Sequence, residues 1–254
     1  MTISVIARNT FKEAVRDRIL YLLLFFSALS IILARVLAVL TVGDRVKVIK
    51  DVGLASISFF GALMAILIGT GLVYKEIEKR TIFTLISKPI RRVEFLLGKY
   101  LGLVLTLAVM IGTMAVIFLA VVFLHTLRVE LNLVPAILFM FLELILLTAV
   151  AVLFSCFSTP ILSSLFALSF YLIGHFSWSL ETLIKKTPAG AARTVLRIIY
   201  TLLPDLENFN IKTEVVQNLP LPPGIWLGAA AYSAVYTAFV LLLAMAVFRR
   251  RDFI

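Results

Sequence analysis

The chain has 254 residues, of which 62% are hydrophobic and 15% are charged, and its mean hydropathy is +1.09. A soluble domain is about half apolar and about a quarter charged, so this composition excludes an ordinary soluble protein and predicts an integral membrane protein of one domain, residues 1–254. The net charge of +10 lies in short segments beside apolar runs, which favours membrane topology and anionic lipid headgroups over nucleic-acid binding.

The first 18 residues predict an amphipathic helix at the membrane interface. Helical spacing places Phe11, Ala14, Val15, Arg18 and Ile19 on one face. Most of the charged residues lie on the other face, namely Arg8, Lys12, Glu13, Arg16 and Asp17. The pattern is also typical of a basic tail next to a membrane.

Six apolar runs are long enough to cross a hydrocarbon core, which needs roughly 17–25 helical residues. They are Ile19–Val42, Val52–Val73, Tyr100–Leu124, Leu133–Phe157, Ile161–Trp178 and Ile225–Phe248. The predicted fold is therefore an all-α bundle of six transmembrane helices. Ser158, Thr159 and Pro160 leave room for only a short turn, so the fourth and fifth runs should be antiparallel neighbours.

The distribution of Lys and Arg predicts that both termini are cytoplasmic. The termini and the loop between runs two and three hold 14 of these residues, against nine on the opposite side. We predict a multi-pass protein of the plasma membrane.

The stretch Tyr74–Gly102 is the long polar interruption in the first half of the chain, with seven basic residues and three acidic ones. Apolar residues from Ile77 to Ile86 recur at helical spacing, and Pro89 ends that pattern. A second apolar stripe begins at Val93 and leads into the third run. We predict a basic helical segment, residues 74–99, lying at the cytoplasmic membrane surface.

Two charged residues fall inside predicted spans. Glu143 lies near the middle of the fourth run, where a carboxylate is costly and is a candidate for lining a substrate path or carrying a proton. The alternative is a neutral or hydrogen-bonded structural residue that fixes the helix register. Arg35 lies near one end of the first run, where its side chain can reach the interface; pairing with Glu143 is the alternative. His175 has the character of a packed or water-facing residue.

Other chemistry is not indicated. Cys156 is the single cysteine, and His125 and His175 form no local pattern, so no metal site is predicted. Gly98-Lys99 is followed by Tyr100 and lacks the first glycine of a phosphate-binding loop, so the chain should not hydrolyse ATP by itself.

The segment 179–224 is predicted to be external and partly helical. A helical stripe from Val195 to Leu203 ends at Pro204, and prolines and Gly224 precede the sixth run. Either a gate or partner-docking element, or a simple lid over the bundle, fits this pattern.

Small residues recur four apart, as in close helix–helix contacts in lipid, but the sequence does not assign their partners. They are Gly61, Ala65 and Gly69; Gly98 and Gly102; and Ala230, Ala234 and Ala238.

A family resemblance rests on the middle segment and on Leu203–Asn210. The order of Glu78, Thr81, Leu85, Ser87, Pro89, Arg91 or Arg92, Phe95, Gly98, Lys99 and Gly102 resembles the segment between spans two and three of ABC-2 type transporter permeases. Within them it is most similar to the subgroup associated with multicopper-enzyme maturation. Arg80 stands where that family usually has glycine, which favours an unbroken helix through Thr81.

The resemblance implies a permease subunit of an ATP-driven exporter and not an enzyme. Residues 1–18 would be the connecting helix, and 74–99 the coupling segment that docks on a separate cytoplasmic ATPase. Its docking residues would be Glu76, Glu78, Lys79, Arg80, Thr81, Leu85, Ser87, Lys88, Pro89, Arg91, Arg92 and Phe95. ATP and magnesium would bind that ATPase, and a second permease subunit, identical or related, would complete the exporter.

Two other functions remain open on the residues alone. An ion-coupled secondary transporter would use Glu143 as its titrating group. A non-transporting assembly protein would bind an extracellular enzyme through the segment 179–224.

Overall fold

The computed structural model describes residues 2–41, 43–78, 91–176 and 204–250, with residues 182–184, 186, 187, 190, 193, 194 and 197 between the last two ranges. Helices and short connections account for all of these residues, and none of them lies in a strand. The helices are α1 Thr2–Val15, α2 Arg18–Leu40, α3 Arg45–Glu78, α4 Arg92–Thr126, α5 Val134–Ser155, α6 Pro160–His175, α7 Lys212–Val216 and α8 Ile225–Arg250. Two 3₁₀ turns, Leu131–Leu133 and Leu206–Phe209, precede α5 and α7.

Five helices in the described residues are long and apolar enough to span a membrane, namely α2, α3, α4, α5 and α8. The predicted count of six is not confirmed, because the fifth apolar run forms α6, a helix of 16 residues. At about 1.5 Å per residue, α6 is shorter than a hydrocarbon core of about 30 Å. It nevertheless packs against α5 as its antiparallel neighbour, as the short turn predicted. Pro160 is the first residue of α6 and not part of the turn.

The bundle is built around α3 and α5. In the most apolar 18-residue stretch of α3 and of α5, 67% of the residues are buried. The corresponding fractions are 22% in α2 and 33% in α8. Helix α5 contacts α3, α4, α6 and α8, so its buried residues extend around the whole helix. A helix that is apolar on all sides is typical of such a central position.

The bundle has two ends, which we name by their contents. The proximal end holds α1, the start of α4 and the end of α8. The distal end holds the connections α2–α3 and α4–α5, together with residues 204–219, which we call the distal cap. The cap contacts α3, α5, α6 and the turn Leu131–Leu133. The apolar residues of the predicted stripe from Val195 to Leu203 lie outside the described residues.

Two of the small-residue patterns are now assigned to helix contacts. A Cβ at Gly69 would lie 2.7 Å from the Cβ of Ala151, and one at Gly61 would lie 2.8 Å from Leu144, so this face of α3 packs against α5. Gly98 and Gly102 face α1 in the same way. The third pattern is different: Ala230, Ala234 and Ala238 are exposed on α8.

The predicted boundaries of the N-terminal and middle segments need correction. Residues 1–18 are not one helix, because α1 ends at Val15 and Asp17 caps α2 by accepting the N–H of Ile19. Arg18 and Ile19 belong to α2 and are exposed, while Thr10 and Ala14 are buried. In the segment 74–99, α3 continues through Glu78 and α4 begins at Arg92, and residues 79–90 lie outside the described residues.

Candidate functional site

The start of α4 is joined to the end of α8. Arg92 Nη1 donates to the carbonyl oxygens of Arg249 at 3.2 Å and Phe248 at 3.5 Å. Carbonyls in the last turn of a helix lack partners within the helix, so a guanidinium is well suited to this place. The ring of Phe95 stacks on that of Phe248 with 6.3 Å between centroids. Arg92 and Phe95 therefore hold α4 to α8.

Helix α1 lies in a groove on α4 that two glycines create. A Cβ at Gly102 would lie 2.6 Å from the carbonyl oxygen of Ala7 and 2.6 Å from the Cβ of Thr10. At Gly98, the added atom would lie 2.7 Å from the Cβ of Ile6. The main partner of α1 is thus α4, and its predicted apolar face is rotated toward Ile6 and Thr10.

An ion pair also joins α1 to α4. Lys99 Nζ lies 3.3 Å from Glu13 Oε2 and 5.9 Å from the centroid of the Phe95 ring. Lys99 is 2% exposed, so its ammonium is withdrawn from solvent and needs this carboxylate. The sequence placed Glu13 on the polar face of α1, and the structure shows that Glu13 pairs with Lys99.

The predicted docking residues fall into four groups. Arg91 is the N-cap of α4 and its side chain is exposed. Arg92 and Phe95 contact α8, as described above, and Glu76 and Glu78 lie in the last turns of α3. The others lie outside the described residues: Lys79, Arg80, Thr81, Leu85, Ser87, Lys88 and Pro89. Both arginines at the described start of α4 are exposed, and Arg92 is the one that is bonded to α8.

A second polar site lies inside the bundle, where α5 and α6 meet the distal cap. Glu143 of α5 is 3% exposed, and its Oε1 lies 3.5 Å from Nε2 of His175 in the last turn of α6. That contact is within ion-pair distance but is not aligned as a hydrogen bond, and Oε1 has no hydrogen-bond partner among the described residues. Arg35 is exposed on α2, so the carboxylate is paired with His175 instead of Arg35.

Helix α6 presents a second polar residue one turn before His175. Tyr171 Oη lies 3.4 Å from Ser58 Oγ on α3, and the rings of Tyr171 and His175 are 4.6 Å apart between centroids. His175 Nδ1 lies 3.3 Å from the carbonyl oxygen of Tyr171. A carbonyl oxygen only accepts, so Nδ1 carries a proton and Nε2 is the atom that faces Glu143.

The distal cap completes this cluster with charged groups. Lys212, half-buried at the start of α7, interacts electrostatically with Glu143 and with Glu207. Burial lowers the pKa of Lys212, and the carboxylates of Glu143 and Glu207 oppose that shift. Asp205 and Glu207 also act on His175. We call Glu143, His175 and Lys212 the charge cluster.

Sequence analysis found Glu143 but missed its partners. A signal was present, because α5 and α6 form an antiparallel hairpin and residues equally far from its turn lie side by side. Glu143 and His175 are almost equally far from Ser158 and Thr159. Lys212 had no such signal, because a cation in a long connection can lie anywhere on the distal surface.

Comparison with known proteins agrees with the helical membrane architecture. A family model described as ABC-2 family transporter protein matches residues 4–253, which is nearly the whole chain. No curated protein matches the chain. This match identifies the family. It does not identify the subgroup associated with multicopper-enzyme maturation, which the middle segment resembles. The chain is a multi-pass membrane protein, and it belongs to the ABC-2 family of ABC transporters.

Proposed function

We propose that this chain is the membrane-spanning subunit of an ATP-driven exporter whose ATP hydrolysis takes place in a separate cytoplasmic ATPase. The observation that carries the proposal is the family match over residues 4–253. ATP and magnesium bind the ATPase, and this chain converts the motion of the ATPase into movement of its helices. A second permease subunit, identical or related, completes the transporter.

The proposed docking surface on this chain is the segment from Glu76 to Phe95. It connects α3 to α4 at the proximal end, where motion of the segment would reach both helices directly. Arg92 and Phe95 link the same segment to α8, and Lys99 links the start of α4 to α1. A force applied between α3 and α4 would therefore be passed to α1 and α8.

The proximal end is proposed to face the cytoplasm, with both termini there and the protein in the plasma membrane. Exposed cations support this orientation: Arg8, Lys12, Arg16, Arg18 and Arg91 all lie at that end. Cations are enriched on the cytoplasmic side of membrane proteins and attract anionic lipid headgroups. We expect lipid phosphates to lie against the outer face of α1.

We expect Arg91→Glu to reduce recovery of the ATPase when the tagged chain is purified from its native membranes. Charge reversal at an exposed interface position removes an attraction and adds a repulsion, so recovery of the ATPase should fall about tenfold. Mass spectrometry should identify the partner by its phosphate-binding loop. Arg91 is preferred to Arg92, because reversing Arg92 would also disturb the end of α8.

Arg45→Glu is the matched control for this experiment. Arg45 is exposed at the start of α3, at the distal end, and the substitution makes the same change in charge. It should leave recovery unchanged. If the Arg91→Glu variant elutes and unfolds as the parent does and still recovers as much ATPase, then Arg91 is not part of the docking surface. Absence of any ATPase from the native complex would contradict the exporter itself.

A second candidate function rests on the buried Glu143. An ionisable pair such as Glu143 and His175 within a helical bundle is also what a proton-coupled transporter requires. The two functions are separated by their energy source. Substrate movement in vesicles that have a pH gradient and no ATP would favour the second candidate, and movement that requires ATP and the ATPase would favour the first.

A further inference from the structure

The outer side of α1 carries a row of exposed cations. Arg8, Lys12 and Arg16 lie four residues apart, so they follow one side of the helix, opposite the side that packs against α4. We call these three residues the basic stripe. Among the described residues, no carboxylate forms an ion pair with any of the three. The basic stripe is therefore a surface of positive charge that other parts of the described structure do not neutralise.

The acidic residues nearest in the sequence are already engaged elsewhere. Glu13 lies 3.3 Å from Lys99 on the inner side of α1, and Asp17 accepts the N–H of Ile19 as the N-cap of α2. Like charges four residues apart repel each other and destabilise a helix. The basic stripe thus requires a counter-charge from outside the chain.

Two contacts place α1 along the membrane surface. In its middle, Ala7 and Thr10 contact Gly102 of α4, whose neighbour Leu101 is apolar and exposed. At its end, α1 leads within a few residues to Ile19 of α2, which is also apolar and exposed. Exposed apolar side chains on spanning helices mark the level of the hydrocarbon, so the middle and the end of α1 both lie near its boundary.

A helix held at the same depth at two points lies parallel to the membrane plane. Its inner side faces α4, so the basic stripe faces sideways, along the layer of lipid headgroups. Val5 is 67% exposed one turn before Arg8 and adds an apolar contact of the kind that interfacial helices make with lipid. A soluble partner approaches from beyond the headgroup layer, whereas lipid phosphates already lie in it. This position favours lipid as the source of the counter-charge.

We propose that the basic stripe is a binding surface for anionic lipids, whose phosphates lie against Arg8, Lys12 and Arg16 and hold α1 in its groove on α4. Each bound phosphate relieves the repulsion along the stripe, so α1 is more ordered in anionic lipid than in zwitterionic lipid. The proposal rests on the proposed function only for the leaflet, which is the cytoplasmic one. The surface requires neither the ATPase nor a substrate.

Hydrogen–deuterium exchange of α1 tests this surface on the full chain in nanodiscs that contain no ATPase. One set of nanodiscs holds phosphatidylcholine alone, and the other holds phosphatidylcholine and phosphatidylglycerol in equal amounts. The amides of α1 should exchange about fivefold more slowly in the anionic nanodiscs, because basic side chains are attracted to an anionic membrane surface. High salt should reduce this difference, since salt screens exposed charges.

The variant Arg8→Gln/Lys12→Gln/Arg16→Gln should show the same α1 exchange in both kinds of nanodisc. Glutamine is about as good a helix former as lysine and arginine, so α1 should still form. The salt series on the parent chain carries the test if this variant does not fold. A lipid difference that survives in the variant, or that high salt leaves unchanged, would overturn the proposal.

The control variant is Arg45→Gln/Lys47→Gln/Arg128→Gln, which removes the same charge from exposed cations at the distal end. It should keep the full lipid difference in α1. Equal exchange of α1 by the parent chain in the two kinds of nanodisc would overturn the proposal. Protection of α1 that appears only after the ATPase is added would assign the surface to the ATPase and would also overturn it. Absence of any ATPase partner would leave these measurements unaffected, so failure of the proposed function is a separate result.

Discussion

Glu130→Ala is expected to lower the free energy of unfolding by about 2–3 kcal/mol, because it leaves a buried ammonium without its counter-charge. Lys50 of α3 forms an ion pair with Glu130 in the connection between α4 and α5, and the two side chains are 6% and 20% exposed. Removing one partner of a fully buried pair costs about 3–5 kcal/mol, and the partial exposure of Glu130 reduces that figure here. Denaturant unfolding in one detergent at neutral pH measures the loss.

The double variant Lys50→Met/Glu130→Ala is the control that separates an unpaired charge from lost contacts. It removes both charges, so it should unfold within about 1 kcal/mol of the parent. Arg128→Ala, at an exposed cation in the same connection, should change stability by less than about 0.5 kcal/mol. If Glu130→Ala is as stable as the double variant, then the ammonium of Lys50 does not depend on Glu130.

Gly102→Leu is expected to detach α1 from α4 and to lower the free energy of unfolding by about 2–3 kcal/mol. The space beside Gly102 is occupied by the backbone oxygen of Ala7 and the Cβ of Thr10, neither of which can rotate away. Displacement of α1 would also separate Glu13 from the buried Lys99. Unfolding measurements should show the loss, and hydrogen exchange should show faster exchange in α1.

Gly112→Leu is a matched control on the same helix. A Cβ at Gly112 meets nothing within 4 Å and the position is exposed, so the new side chain has room. Leucine is also a better helix former than glycine by about 1 kcal/mol, so this variant should be neutral or more stable. Unchanged protection of α1 in Gly102→Leu would contradict the tight contact described here.

The contact between α1 and α4 has a consequence for coupling. Arg92, Phe95, Gly98, Lys99 and Gly102 all lie in the first turns of α4, and the first two of them belong to the end of the segment proposed to receive the ATPase. The family resemblance includes each of these residues, and it implies an ATPase-docking role for Arg92 and Phe95. In the structure, all five contact α1 or α8, whereas the side chain of Arg91 is exposed at the N-cap of α4.

The sequence by itself determined the helical membrane class, the family resemblance and the positions of most helices. Each of these depends on local information: apolar runs, turn residues such as Pro160, and helical spacing in runs such as Val93–Leu101. Its errors were at helix ends, where Asp17 starts a new helix and α3 continues through Glu78. Hydropathy does not detect those ends, because polar residues continue a helix as readily as they end it.

Only the tertiary structure decided which charged and small residues meet. Lys50 and Lys99 look alike in the sequence, yet one is paired with Glu130 and the other with Glu13. Gly98 and Gly102 pack against α1, whereas Ala230, Ala234 and Ala238 on α8 are exposed. The reason is physical: a side chain's partner is set by the crossing of helices that are distant in the chain, and single-sequence periodicity describes only one helix at a time.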